Sequence, residues 1–127
     1  MTTPSVLVLE DDELIRMLLI DIIEDMGEVV VSYASADEGM VFLESGANQL
    51  CLIVSDINMP GLLDGYELSK IVTLRWPFLP IILTSGRVQG LLELGPNVSF
   101  LAKPWTCEAM LNSVQGGLDQ FKSRHLP

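Results

Sequence analysis

The chain has 127 residues, one domain's worth, since splitting it would leave each half near the size at which a core no longer sustains itself. Hydrophobic types make up 49% and charged types 19%, with apolar residues spread along the length, which excludes a disordered chain and points to one folded, soluble domain. Seven basic against 17 acidic residues give a net charge of -10, which works against direct binding to nucleic acid or anionic membrane, and no apolar run reaches the roughly 18 to 20 residues needed to cross a bilayer.

Met1-Thr2-Thr3-Pro4 has neither the basic start nor the apolar stretch of a signal peptide, so a cytoplasmic location is expected. Ser5 to Leu9 (SVLVL) reads as a first buried strand. Leu14, Leu18, Ile22 and Met26, with Ile15, Leu19 and Ile23 beside them, then form a helical stripe from which Glu13, Arg16, Glu24 and Asp25 stand off, and Gly27 ends it. Glu28 to Tyr33 reads as a weaker strand. Ser35-Ala-Asp-Glu38 has capping-box spacing and opens a second helix with Ala36, Met40 and Leu43 on one side. Leu50 to Ser55 is a third strand, and Asp64, three residues before Glu67, opens a helix that stops at Trp76-Pro77. Ile81 to Thr84 and Val98 to Ala102 complete five strands. Between those two, Gly90, Gly95 and Pro96 leave room only for a short helix. The last helix follows Thr106, with Leu111, Val114, Leu118 and Phe121 inward and Gly116-Gly117 weakening its middle.

Strands alternating with helices build a parallel sheet covered on both faces, and ligands of such sheets bind beyond the carboxyl ends of the strands. At those ends stand Glu10-Asp11-Asp12, Asp56, Thr84-Ser85-Gly86 and Lys103-Pro104. Crowded carboxylates repel unless a proton or a cation sits among them, and oxygen-only donors open to water suit Mg²⁺ completed by a phosphate. A magnesium-dependent phosphoryl site follows, with Asp56 as nucleophile and Lys103 and Ser85 holding the other oxygens. Singly, these residues have plainer readings. The acidic trio serves equally as a helix cap, and Asp56 with Asn58, Pro60 and Gly61 is ordinary turn chemistry. The weight lies in all of them falling at one end of consecutive strands.

The stretches VLVLEDDELIR, LIVSDINMPG, IILTSG and FLAKPW, in this order, resemble the receiver domain of two-component response regulators, the CheY-like family, over about residues 4 to 122 of a single domain spanning 1–127. The resemblance implies a doubly wound five-stranded parallel sheet of order 2-1-3-4-5. It implies Mg²⁺ held by Glu10, Asp11, Asp56 and the backbone carbonyl of Asn58, with Asp56 accepting phosphate from a histidine kinase or phosphotransfer protein. Ser85, five residues past the proline that opens strand four, matches the switch hydroxyl, with Thr84 as runner-up. Lys103 matches the phosphate-contacting lysine, with a cis peptide to Pro104. Phe100 matches an aromatic that turns inward on activation, and Arg87 stands where phosphate lifetime is often tuned. Such a domain signals through a downstream protein target, as a monomer or weak dimer, and is no enzyme beyond its own phosphorylation and dephosphorylation.

Two departures accompany the likeness. The loop after Asp56 reads MPGLLDG, one residue longer than the commoner MPGMDG, and the segment from Ser85 to Lys103 lacks an alanine-rich helix with a Lys-Ala-Gly-Ala ending. Rival readings are a receiver module of a hybrid kinase or multidomain regulator, an aspartyl-nucleophile phosphohydrolase, which wants a carboxylate where Asn58 stands, and a flavin carrier, which wants a phosphate loop where the acids stand. Elsewhere, His125 reads as part of a solvated tail, Cys51 as core packing and Cys107 as an inert helix-start thiol. Trp105 reads either as packing under the last helix or as a partly exposed anchor for a partner.

Overall fold

The computed structural model describes residues 3–87 and 92–125. Five strands, β1 (Ser5–Leu9), β2 (Val29–Tyr33), β3 (Leu50–Asp56), β4 (Ile81–Ser85) and β5 (Val98–Ala102), alternate with α1 (Glu13–Asp25), α2 (Ala36–Gly46), α3 (Gly65–Arg75) and α4 (Cys107–His125). All neighbours pair in parallel, in the order β2-β1-β3-β4-β5. The order reverses between β1 and β3, which puts the crevice for chemistry at their carboxyl ends.

Alternation along the strands divides the core into two layers. Leu7, Leu9, Ile53, Ile81 and Leu83 pack with Ala36 and Leu43 of α2 and Leu68 and Val72 of α3. Val6, Val8, Leu52, Val54 and Ile82 pack on the other side with Leu19, Ile22 and Ile23 of α1 and Met110, Val114 and Leu118 of α4. Every residue of β3 is buried, which accounts for its unbroken apolar run. Each large aliphatic side chain so buried contributes about 1.5–3 kcal/mol from removal of apolar surface from water.

The caps follow their sequence signals. Asp12 accepts the amides of Leu14 and Ile15 ahead of α1, Ser35 accepts that of Glu38, and Asp64 and Glu67 form a reciprocal capping box. Thr106 accepts the Ala109 amide at the start of α4. Gly27 takes a φ of 87° just past α1, a conformation that favours glycine.

Several expectations need correction. β3 and β4 each run one residue further than expected, to Asp56 and Ser85, so these two polar residues close the strands rather than follow them. The α1 stripe is wider than the buried face: Leu14 and Leu18 are 79% and 44% exposed because α1 meets the sheet mainly through Leu19, Ile22 and Ile23. Leu111 of α4 is likewise exposed. The glycine pair lies within one continuous α4, where a side chain at Gly117 would approach Leu52 Cδ1 to 2.6 Å and its absence lets the helix lie close on β3. His125 is no tail. It belongs to the last turn of α4, stacked on Phe121 at 4.0 Å between ring centres and edge-on to Phe78. The short helix expected before β5 falls partly on residues 88–91, outside the described residues; 86–87 and 92–97 carry no helix.

Candidate functional site

The site grows from the ends of β1, β3 and β4 and the turn after β5. Glu10 follows β1 and is fixed by its own backbone, its amide donating to the Tyr33 carbonyl and its carbonyl accepting from Arg16 at 2.9 Å. Its side chain is 1% exposed and Asp56 is 7% exposed, while Asp11 faces solvent. One carboxylate oxygen from each of Glu10, Asp11 and Asp56 lies within 4.8 Å of the others. The acidic trio thus divides its labour: Asp12 caps α1, and Glu10 and Asp11 turn toward Asp56.

Lys103 reaches this cluster from the turn after β5. Its peptide to Pro104 is cis, and its amide donates to the Ser85 carbonyl at 2.9 Å. Its ammonium lies 2.8 Å from Glu10 Oε1 and 3.3 Å from Asp56 Oδ2. Burial is the largest influence on Glu10 and pushes its carboxyl above the ordinary range, with the bonds from Lys103 and the Asp12 amide offsetting only part of it. Burial alone would lower Lys103, but the bond to Glu10 and the charges of Glu10 and Asp56 outweigh it and hold the ammonium above its ordinary value. Two buried anions and one cation leave an excess of negative charge at an edge open to water through Asp11. The donors are all oxygen, so they fit Mg²⁺ or a similar hard cation better than zinc.

Ser85 and Thr84 are both 1% exposed. Thr84 stands in register with Asp56 across the sheet, and its carbonyl accepts the Ile57 amide. The Ser85 hydroxyl oxygen accepts from the Asn58 side-chain amide at 3.0 Å and from the Arg87 amide at 3.1 Å. Asn58 therefore ties the loop after Asp56 to the end of β4, a link that sequence reasoning missed because it joins residues 27 apart. Arg87 is exposed. Phe100 is 41% exposed on β5, in register with Leu83 rather than with the acidic cluster.

Beside the cluster lies a largely apolar cavity of about 370 Å³ lined by Ile15, Leu18, Gly86, Lys103, Pro104 and Trp105. Trp105 is half-buried against the layer under α1 and α4, which agrees with its packing reading. Cys51 is buried and Cys107 exposed. No helix among the described residues is long and apolar enough to cross a membrane.

Comparison with known proteins matches this arrangement. The chain is 34% identical over 114 residues to the response regulator protein FleR of Pseudomonas aeruginosa, covering 87% of this chain and 24% of that protein. It is 32% identical over 118 residues to the C4-dicarboxylate transport transcriptional regulatory protein DctD of Rhizobium meliloti, covering 88% and 25%. The chain thus spans about a quarter of the length of these relatives. A CheY-like response regulator receiver domain protein from Methanospirillum hungatei superposes with a TM-score of 0.82 at 23% identity, over 97% of this chain and 99% of that one. The receiver domain of the hybrid histidine kinase CckA does so with a TM-score of 0.76 at 26% identity, over 90% and 98%. The family model described as response regulator receiver domain matches residues 6–115, most of the chain, and the chain belongs to that family.

Proposed function

We propose that this receiver domain is a phosphorylation-operated switch in which Asp56 accepts a phosphoryl group from a phosphohistidine on a histidine kinase or phosphotransfer protein. The observation that carries this reading is the convergence of Glu10, Asp11 and Asp56 at one strand edge with the Lys103 ammonium against two of them. Glu10, Asp11, Asp56 and the Asn58 backbone carbonyl would hold Mg²⁺, which, when bound, contributes positive charge opposite the transferring oxygens.

An Asp56 carboxylate oxygen forms the bond to phosphorus as the bond from phosphorus to the donor imidazole breaks. The imidazole nitrogen keeps the electron pair and takes up a proton, and the product on this chain is an acyl phosphate that water later hydrolyses. Lys103 is positioned to hold one phosphoryl oxygen and to offset the charge of roughly -2 that the group brings. Ser85 is the switch hydroxyl: its oxygen accepts the Asn58 amide, and its O–H donates to a phosphoryl oxygen once the hydroxyl has moved toward it. Thr84, its backbone neighbour, is the runner-up. Movement of Ser85 opens space toward β5, where Phe100 changes from an outward to an inward position, and phosphate shifts the population between two arrangements. Arg87, whose amide rests on the Ser85 hydroxyl, modulates how long the phosphate survives.

Asp56→Asn is expected to abolish incorporation of label from a small phosphodonor in the presence of Mg²⁺, while labelling retained at another residue overturns the assignment. The output is contact with a protein target, in the cytoplasm, by a monomer or weak dimer, and not direct binding to nucleic acid, which the charge of -10 opposes. A second reading, a module within a longer regulator or hybrid kinase, is favoured by the quarter-length match to FleR and DctD and by the likeness to the CckA receiver. A phosphohydrolase is disfavoured because Asn58, two residues past the nucleophile, has no acidic proton to give and is bonded to Ser85.

A further inference from the structure

We propose that Asp37, far from the acceptor in sequence, is a positioning residue for the acceptor site, acting by fastening the tip of the loop that leaves Asp56. The inference rests on the acceptor reading above and adds a residue to it. The loop between β3 and α3, residues 57–64, is secured at its base: the Ile57 amide donates to the Thr84 carbonyl, the Gly65 amide to the Ile57 carbonyl, both at 2.9 Å, and Ile57 and Met59 are buried. Packing secures its tip on one side only: Leu63 is half-buried against the core under α2 and α3, whereas Leu62 is 92% exposed.

The polar hold on the tip comes from one carboxylate in the first turn of α2. Asp37 Oδ2 accepts the Leu62 amide and Oδ1 the Leu63 amide, each at 2.9 Å. Gly61, at a φ of 121°, folds the chain so closely round this carboxylate that any side chain there would collide with it. Three consecutive residues are thus arranged around both oxygens of one anion, an arrangement that fixes orientation as well as distance. The helix does not need Asp37 for its cap, since Ser35 supplies that bond. Leu62 and Leu63 are also where this loop carries its extra residue, so the two amides that the lengthened tip presents are the two that Asp37 accepts.

The consequence reaches the site through Asn58, on the same loop. Its carbonyl is a proposed metal ligand and its side-chain amide holds the Ser85 hydroxyl. A released tip lets the segment carrying Asn58 sample other arrangements, so that cation binding must first restore order.

The test uses the whole 127-residue chain, with Mg²⁺ affinity from calorimetry, exchange of the Leu62 and Leu63 amides from NMR, and labelling by a small phosphodonor. Asp37→Ala and the isosteric Asp37→Asn, which turns an N–H toward a backbone N–H, are expected to expose both amides to exchange and to weaken Mg²⁺ roughly three- to tenfold, the loss of about one hydrogen bond's net contribution. Saturating Mg²⁺ should restore the labelling rate, and exchange confined to the loop amides, with the strand amides protected as in the wild type, separates this from general unfolding, which Mg²⁺ would also reverse. Glu38→Gln removes a neighbouring negative charge without touching the loop and should leave Mg²⁺ affinity as in the wild type. Unchanged affinity in both Asp37 variants, or an equal loss in Glu38→Gln, overturns the proposal. A wild-type chain that neither binds Mg²⁺ nor takes label overturns the acceptor reading itself, which keeps the two failures apart.

Discussion

β3 and β5 lie one strand apart in the same sheet and are built to opposite ends. All seven residues of β3 are buried between two helical layers and paired on both sides, whereas β5 is an edge strand whose Ser99, Phe100 and Ala102 face solvent. Asp56 terminates the first and Phe100 sits in the second. A strand held from every side fixes the position of Asp56, which under the proposed function gives a donor and a cation the same geometry each time. A strand held from one side moves at low cost, and surface moved there is surface a partner can read. The proposed function thus puts chemistry on the strand that is held on every side and display on the one that is not.

The sharpest way to break that contrast is to cut equally into both strands. Ile53→Ala in β3 should cost about 2–5 kcal/mol of unfolding free energy in urea, because the cavity it leaves is enclosed. Phe100→Ala should cost less than about 1 kcal/mol, and similar losses would erase the distinction. Next in size is the seam between β3 and α4. Gly117→Ala drives a methyl group toward Leu52 and should cost about 1–3 kcal/mol, while Gly116→Ala one residue earlier meets nothing within 4 Å and should stabilise by up to about 1 kcal/mol.

A smaller effect belongs to Glu10. Burial raises its carboxyl, so the folded chain holds that proton more tightly than the unfolded one, and the associated stability is complete at acid pH and lost as pH rises through the raised value. Glu10→Gln cannot ionise. Without Mg²⁺ at neutral pH it should unfold at a higher urea midpoint than the wild type, and the gain from added Mg²⁺ should shrink. Finally, Cys51 on β3 is pushed up to about 11, chiefly by burial, and stays protonated at pH 8. A thiol reagent should label the exposed Cys107 in the native chain and reach Cys51 only on unfolding.

The fold was legible because local signals agreed: apolar runs for the central strands, caps at Asp12, Ser35 and Asp64, and turn residues between them. The strand-end polar residues were legible as a group for the same reason, since each strand fixes where its last residue lies. What stayed hidden depended on partners distant in the chain. The helical period of α1 could not tell that Leu14 projects beyond the sheet, nor could a terminal histidine announce that Phe78 and Phe121 would receive its ring. In the sequence Asp37 is only an inner residue of the Ser35–Glu38 capping-box stretch. Its bonds to Leu62 and Leu63 exist only because α2 and the loop after β3 converge in space.

The two tryptophans stand at opposite stations. Trp105 lines the cavity that Lys103 also lines, and Trp76 ends α3 with the Arg75 guanidinium 4.4 Å over its ring. Trp105 fluorescence is therefore expected to follow changes at the charged edge more closely than that of Trp76, and Trp105→Phe and Trp76→Phe variants separate the two signals.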